Sequence, residues 1–346
     1  MKKFSRPALS VLALAAMLAL AGCGSKKPVL NVYTWSDYMA PSVVKEFERQ
    51  FACKVQMNYF DSNEAMYAKF KNGARGYDVI FPSSYMVKLM DEQGMLRKLD
   101  KSLLPNVANV DERYLSRAFD KEMDHSVPYM ITVTCLAYTP AAGGVEANYG
   151  QFDRADLKGR MTLLNDLREV IGAALKHNGH SLNSVDDAEL AEAKETILGW
   201  KKNIATFENE QYKIGLASGE FLLVQGYSGD LMQVQDENGE IEIVVPEEGT
   251  ALSFDDMVIP ADAPNPELAH AFINFLYDPE ISAQNTEYVF YLCPNRASYE
   301  LLGEETRANP ILFPSEETVA KLEMIEDLGE NNAKYNKLWD EIKAAE

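Results

Sequence analysis

Val29-Leu30-Asn31-Val32-Tyr33-Thr34-Trp35-Ser36-Asp37-Tyr38 is the stretch on which the reading of this chain turns. Val29 to Tyr33 form an apolar strand, and the residues after it gather at its carboxyl end. Alternation along an extended strand sends Trp35 and Asp37 to one side, with Tyr38 swinging in from the turn before Pro41. Two aromatic faces beside one carboxylate suit a cation: ring quadrupoles attract ammonium groups by roughly 0.5–2 kcal/mol each, and the carboxylate adds a charge-assisted hydrogen bond. An ordinary strand end with a buried tryptophan has the same local sequence, so the rest of the chain must decide.

Outward from this point, strand-like and helix-like segments alternate, which argues for an α/β architecture. A helix begins at Ser42 with Val43, Val44, Phe47 and Phe51 on one face, and Lys54–Phe60 reads as the second strand. Asp61 with Glu64 forms a capping box over the next helix, and Tyr77–Phe81 is a buried third strand. Ser83 to Tyr85 then open a helix at the same sheet edge as the Trp35 cluster, where ligands of such sheets bind. Tyr129 to Tyr138, rich in Ile, Val and Thr, is a long strand on which the chain leaves one lobe for a second. The return falls between Ile241–Val245 and Ser253–Pro260. Between these crossovers lie a strand at Met161–Leu164, a helix from Asn165 through Ala174, a helix within Ser184–Asn203 and a strand at Phe221–Tyr227.

The first residues carry an address. Lys2, Lys3 and Arg6 precede an apolar run, Ala8 to Leu20, and Leu20-Ala21-Gly22-Cys23 follows at once. The run is short for a membrane span, and this order is that of an export signal. The small residues before Cys23 resemble a bacterial lipobox, which implies cleavage before Cys23 and acylation of its thiol. Residues 1–22 are then a signal peptide and 23–28 a lipidated tether. Loss of three basic and no acidic residues takes the formal charge from −20 to −23. So acidic a chain has no basic face for phosphates, which excludes nucleic acid as a partner, and it raises the local concentration of cationic ligands. Cys53, Cys135 and Cys293 are isolated and read as small buried hydrophobes.

No glycine-rich phosphate loop and no nucleophile elbow occurs. His177-x-x-His180 has no cysteine nearby and reads as two solvated histidines, so no metal and no cofactor is expected. What recurs instead is carboxylates beside aromatics at strand ends: Asp37 with Trp35 and Tyr38, Asp166 and Glu169, Tyr227 with Asp230, and Asp255 after Phe254. Asp166 and Glu169, three apart at a helix start, also suit capping. Several unpaired carboxylates facing one cleft raise each other's pKa unless a polycation sits between them.

Taken together, Trp35-Ser-Asp-Tyr38, Tyr77-Asp-Val-Ile-Phe-Pro-Ser-Ser-Tyr85, Ser126-Val-Pro-Tyr129, Asn165-Asp-Leu-Arg-Glu-Val170 and Asp255-Asp-Met-Val-Ile-Pro260 resemble the spermidine/putrescine-binding proteins that serve ABC importers. The resemblance runs nearly the whole mature length. It implies a two-lobed periplasmic-binding-protein type II fold with crossing hinge strands, lobe I from residues 29–133 and 248–297, lobe II from 134–247 and 298–346. It also implies a polyamine, spermidine or putrescine, ringed by Trp35, Ser36, Asp37, Tyr38, Ser83, Tyr85, Asp166, Glu169, Asp255 and Tyr291. The stretch Gly226-Tyr-Ser-Gly-Asp230 is closer to putrescine-binding relatives and adds Tyr227 and Asp230, whereas further cleft tryptophans of spermidine-binding relatives fall at Gln225 and Ser253. The carboxylate count leans toward the longer trication. The expected product is a monomeric, lipid-anchored receptor on the outer or periplasmic face of a membrane, closing on its ligand and presenting it to an ABC permease, with no catalytic residue. A same-fold receptor for another small cation or metabolite, ferric ion among them, and a polyamine sensor are the alternatives. A carbohydrate-active enzyme is disfavoured, since Asp166 and Glu169 on one helical turn do not flank a scissile bond.

Overall fold

The computed structural model describes residues 27–115 and 119–345, so the expected leader and Cys23 lie outside the described residues. Ten strands are present among the described residues: β1 Val29–Thr34, β2 Lys54–Tyr59, β3 Val79–Ile80, β4 Ser126–Tyr138, β5 Met161–Leu163, β6 Thr206–Phe207, β7 Leu223–Tyr227, β8 Glu242–Val244, β9 Ala251–Val258 and β10 Glu323–Met324. Their order is β2-β1-β3-β9-β4-β7-β5-β6, with β10 beside β9 and β8 beside β4. In the first half, β2 and β3 flank β1 in parallel, joined by helices Pro41–Gln50 and Asn63–Lys71. In the second, β5 lies parallel between β6 and β7.

The two halves share β4. Its Ser126–Val133 portion pairs antiparallel with β9, and its Thr134–Tyr138 portion pairs with β7 and, at its end, β8. Twelve of the thirteen β4 residues are buried, because a strand that closes two half-sheets has no solvent face.

Alternation along β1 sends Leu30 and Val32 into a core with Phe47, Phe81, Tyr129 and Phe272, and Tyr33 into the opposite layer with Phe60, Phe70 and Met86. Phe47 packs edge-on against Phe272 with centroids 4.8 Å apart, and burying such a ring stabilises by roughly 1.5–3 kcal/mol. The second half has its own core around Trp200, Tyr149, Phe152 and Tyr212. Cys53, Cys135 and Cys293 are free and buried. Among the described residues no helix is long and apolar enough to cross a membrane.

Three local readings change. The helix Asn63–Lys71 is capped by Ser62, which accepts from Ala65 N at 3.2 Å, and not by Asp61. The helix after Asp166 runs over Leu167–His177, one turn past Ala174. The two histidines are not solvated singly: His177 lies 3.3 Å from Glu248 and His180 2.9 Å from Glu192.

Candidate ligand-binding site

Parallel strands deliver their carboxyl ends to one edge, and the helices that follow begin there, so both halves present side chains and helix N-termini to a common cleft. The cleft, together with the open solvent at its mouth, spans about 710 Å³. Eleven of the twelve site residues expected from the sequence line it, the exception being Asp37. β1 ends at Thr34, so Trp35 to Tyr38 form a turn and not an extended strand. Asp37 takes a left-handed backbone conformation (φ 49°), its side chain is 62% exposed, and it pairs with Lys213 Nζ at 2.9 Å. It does not stand beside Trp35 on one face. The alternation rule fails here because the strand stops three residues before Asp37.

Trp35 packs on Phe60 with centroids 4.3 Å apart, presenting an aromatic wall. Tyr38 is wedged edge-on between Tyr129 and Tyr291 and donates to Asp255 Oδ2 at 2.6 Å. Ser83 donates to Asp255 Oδ1 at 2.6 Å and is itself held by Asn63, which bonds both its backbone N–H and its hydroxyl at 3.0 Å. Asp255 is buried on β9 with no lysine or arginine in ion-pair range among the described residues. Burial pushes its carboxyl up to about 6 although both hydroxyls oppose the rise.

Across the cleft, Asp166 caps the helix Leu167–His177, its Oδ1 accepting from Arg168 N at 2.8 Å and Glu169 N at 3.2 Å. Capping and cleft position coexist, since a carboxylate keeps further lone pairs free. Glu169 is buried and accepts from Thr134 Oγ1 on β4 at 2.7 Å. Burial raises both carboxyls, and the Asp166 charge raises Glu169 further. Glu64, from the first half, accepts from Tyr85 Oη at 3.1 Å, and burial followed by the Asp166 charge lifts it as well. The guanidinium of Arg168 turns away to Glu326 O (2.6 Å) and Asn183 Oδ1 (2.7 Å), between the rings of Tyr85 and Tyr335.

At the other end Tyr227 precedes the helix Ser228–Glu237, and Asp230 in its first turn accepts from Tyr291 Oη at 2.9 Å and Tyr212 Oη at 2.8 Å. Lys213 Nζ is 3.7 Å from the same carboxylate. Ser36 donates to Glu210 Oε2 at 2.9 Å, and Asn209 donates to Asp61 O at 3.2 Å, so hydrogen bonds bridge the halves.

Several lining residues escaped the sequence reading: Asp61, Asn63, Thr132, Arg168, Asn209, Glu210 and Ile325. Thr132 reaches the cleft as the cross-strand partner of Ser253, which shares a face of β9 with Asp255 by the two-residue period, a register that only the fold displays. Asn209 and Ile325 had no signal in the sequence, because they reach the cleft from segments distant in the chain.

Two half-sheets sharing the long strand β4, with an acidic and aromatic cleft at their carboxyl edge, define a two-lobed solute receptor. A model of the bacterial extracellular solute-binding protein family matches residues 42–314, and the chain belongs to that family. It is 34% identical to the putrescine/cadaverine-binding protein of Pseudomonas aeruginosa over 96% of this chain and 98% of that one. It is 33% identical to the spermidine/putrescine-binding periplasmic protein of Salmonella typhimurium over 99% of each. The solved Tp0655 lipoprotein of Treponema pallidum superposes with a TM-score of 0.82 at 30% identity, covering 91% of this chain and 99% of that one. The fold is thus that of the type II periplasmic binding proteins.

Proposed function

We propose that this protein captures a polyamine, spermidine or putrescine, outside the cytoplasm and hands it to an ABC permease, making and breaking no bond. The observation that carries this reading is the set Asp166, Glu169 and Asp255: two buried carboxylates and the half-buried Asp166 lining one cleft, none with a lysine or arginine in ion-pair range among the described residues. Burial raises all three carboxyls, Glu169 to about 8 and Asp255 to about 6. A slender cation with separated ammonium groups supplies the missing charge, while its methylene chain lies against Trp35, Tyr85, Tyr227 and Tyr291. Relatives whose names state putrescine, cadaverine or spermidine binding support the same ligand class.

Residues 29–133 with 248–297, and 134–247 with 298–346, are then the lobes that close on the ligand, with β4 and β9 as hinges. Closure is favoured because only the closed state lets both sets of carboxylates meet one cation. The basic-apolar-Cys23 leader suits export and lipid anchoring of a monomer, in line with the Treponema pallidum relative named as a lipoprotein. Calorimetric titration with putrescine, cadaverine, spermidine, spermine and lysine tests the reading. Saturable one-to-one binding of at least one polyamine, with lysine far weaker, is the expected outcome. A silent titration with every polyamine contradicts it.

A further inference from the structure

Lys213 is the one lysine placed at the cleft's acidic edge among the described residues, on the helix Gln211–Ser218. Its side chain is only 14% exposed, and its ammonium faces Asp37 from the turn after β1, Asp230 from the helix Ser228–Glu237, and Glu210 just before its own helix. Asp37 reaches it at 2.9 Å from a left-handed backbone conformation, uncommon for a residue with a side chain. Tyr212 and Tyr291 complete the polar shell of Asp230. Asp166, Glu169 and Asp255 are held differently: they accept from hydroxyl and backbone donors, and among the described residues no lysine or arginine forms an ion pair with them.

We propose that Lys213 is a built-in ammonium that sets ligand length, taking up the charge of Asp230 so that Asp166, Glu169 and Asp255 alone read the ammonium groups of the bound amine. This rests on the polyamine reading above. An ammonium group brought to Asp230 meets a carboxylate already matched, and it meets the repulsion of Lys213 Nζ as well. A polyamine long enough to reach from Asp166 to Asp230 therefore gains little from its far end. Because Asp37 and Lys213 come from opposite halves, the pair forms only when the cleft is shut, so the same lysine also favours closure.

Lys213→Met keeps most of the stem and removes the charge, leaving Asp230 and Asp37 open to an incoming amine. Titration of the wild type and the variant with putrescine and spermidine reads the effect as the ratio of the two affinities. The expected result is a rise of roughly tenfold or more in favour of spermidine, the scale of one charge-assisted contact, and its disappearance in Lys213→Met/Asp230→Asn. An unchanged ratio, or an equal loss for both ligands, overturns the proposal. Lys213→Gln, which keeps a donor for Asp37, carries the same test should the methionine variant not fold. A wild type that binds no polyamine refutes the underlying reading, whereas a wild type that binds them with a ratio unmoved by Lys213→Met refutes this inference alone.

Discussion

Tyr38 Oη lies 2.6 Å from Asp255 Oδ2 and donates to it across 217 positions of sequence. With Ser83 on the other oxygen, the carboxylate is oriented by two hydroxyl donors, one after β1 and one after β3. These bonds favour the ionised form, burial opposes it, and burial is the larger effect, since the carboxyl stands at about 6.

Asp255→Asn is therefore expected to separate binding from stability. Loss of a charge-assisted contact lowers polyamine affinity by roughly 10- to 100-fold, whereas the ligand-free protein at pH 8, relieved of a buried charge, melts at the same temperature or higher. Calorimetric titration and thermal melts check the two halves. A parallel fall in both assigns Asp255 a structural role only.

The pH dependence of the ligand-free protein follows from the same groups. Asp255 is raised to about 6 and Asp256, in whose case burial is again the first cause, to about 7. Between the ordinary carboxylate range and these values the folded protein holds protons that the unfolded chain has released. Stability therefore falls as pH rises from roughly 4.5 through about 8, where Glu169 stands, and levels beyond. Glu169 and Asp166 are displaced in the same direction. The melting temperature is expected to drop by several degrees from about pH 5 to pH 8, and saturating spermidine to flatten the slope. A melting temperature that rises steadily over this interval speaks against buried, uncompensated carboxylates.

Arg168 ties the cleft to the C-terminal segment through Glu326 O and Asn183, and its charge lowers the pKa of both Asp166 and Glu169. Removing one member of a buried charged network is expensive, so Arg168→Met is expected to lose roughly 3–5 kcal/mol in urea unfolding. A loss below about 1 kcal/mol, the scale of an exposed pair, contradicts this assignment.

Gly229 fixes the Tyr291 ring. A Cβ at this position falls 2.3 Å from the ring, a distance no carbon pair tolerates, whereas one at Gly239 meets nothing within 4 Å. Gly229→Ala displaces Tyr291 from Asp230 and from Tyr38, so polyamine affinity is expected to fall roughly tenfold or more. Gly239→Ala serves as the control and is expected to bind as the wild type does. Equal affinities for the two variants rule out Tyr291 as a cleft wall.

Much of the fold was legible because periodicity is local. The alternation of β1, the amphipathic helix of Phe47 and the β-branched run that becomes β4 each carry their own signal. Short strands such as β6 and β10, two residues each, have no period to detect. The cleft residues were legible where they follow or end strands in the same order as the motifs, Ser83 and Asp166 after β3 and β5 and Tyr227 at the end of β7. Asp37 was misplaced because strand alternation was carried past Thr34 into a turn. Lys213, Asn209 and Ile325 are set by how distant segments meet, which no window of sequence displays.

Glu169 and its neighbours in the cleft are expected to hold protons until a polyamine supplies the charge that lets them ionise. Spermidine titrations at pH 7 in two buffers of different ionisation heat measure the protons exchanged on binding. Release of roughly one proton per ligand is expected, shrinking toward zero by about pH 9 as the carboxyls ionise beforehand. Binding with no proton release at pH 7, or with proton uptake, would contradict the claim.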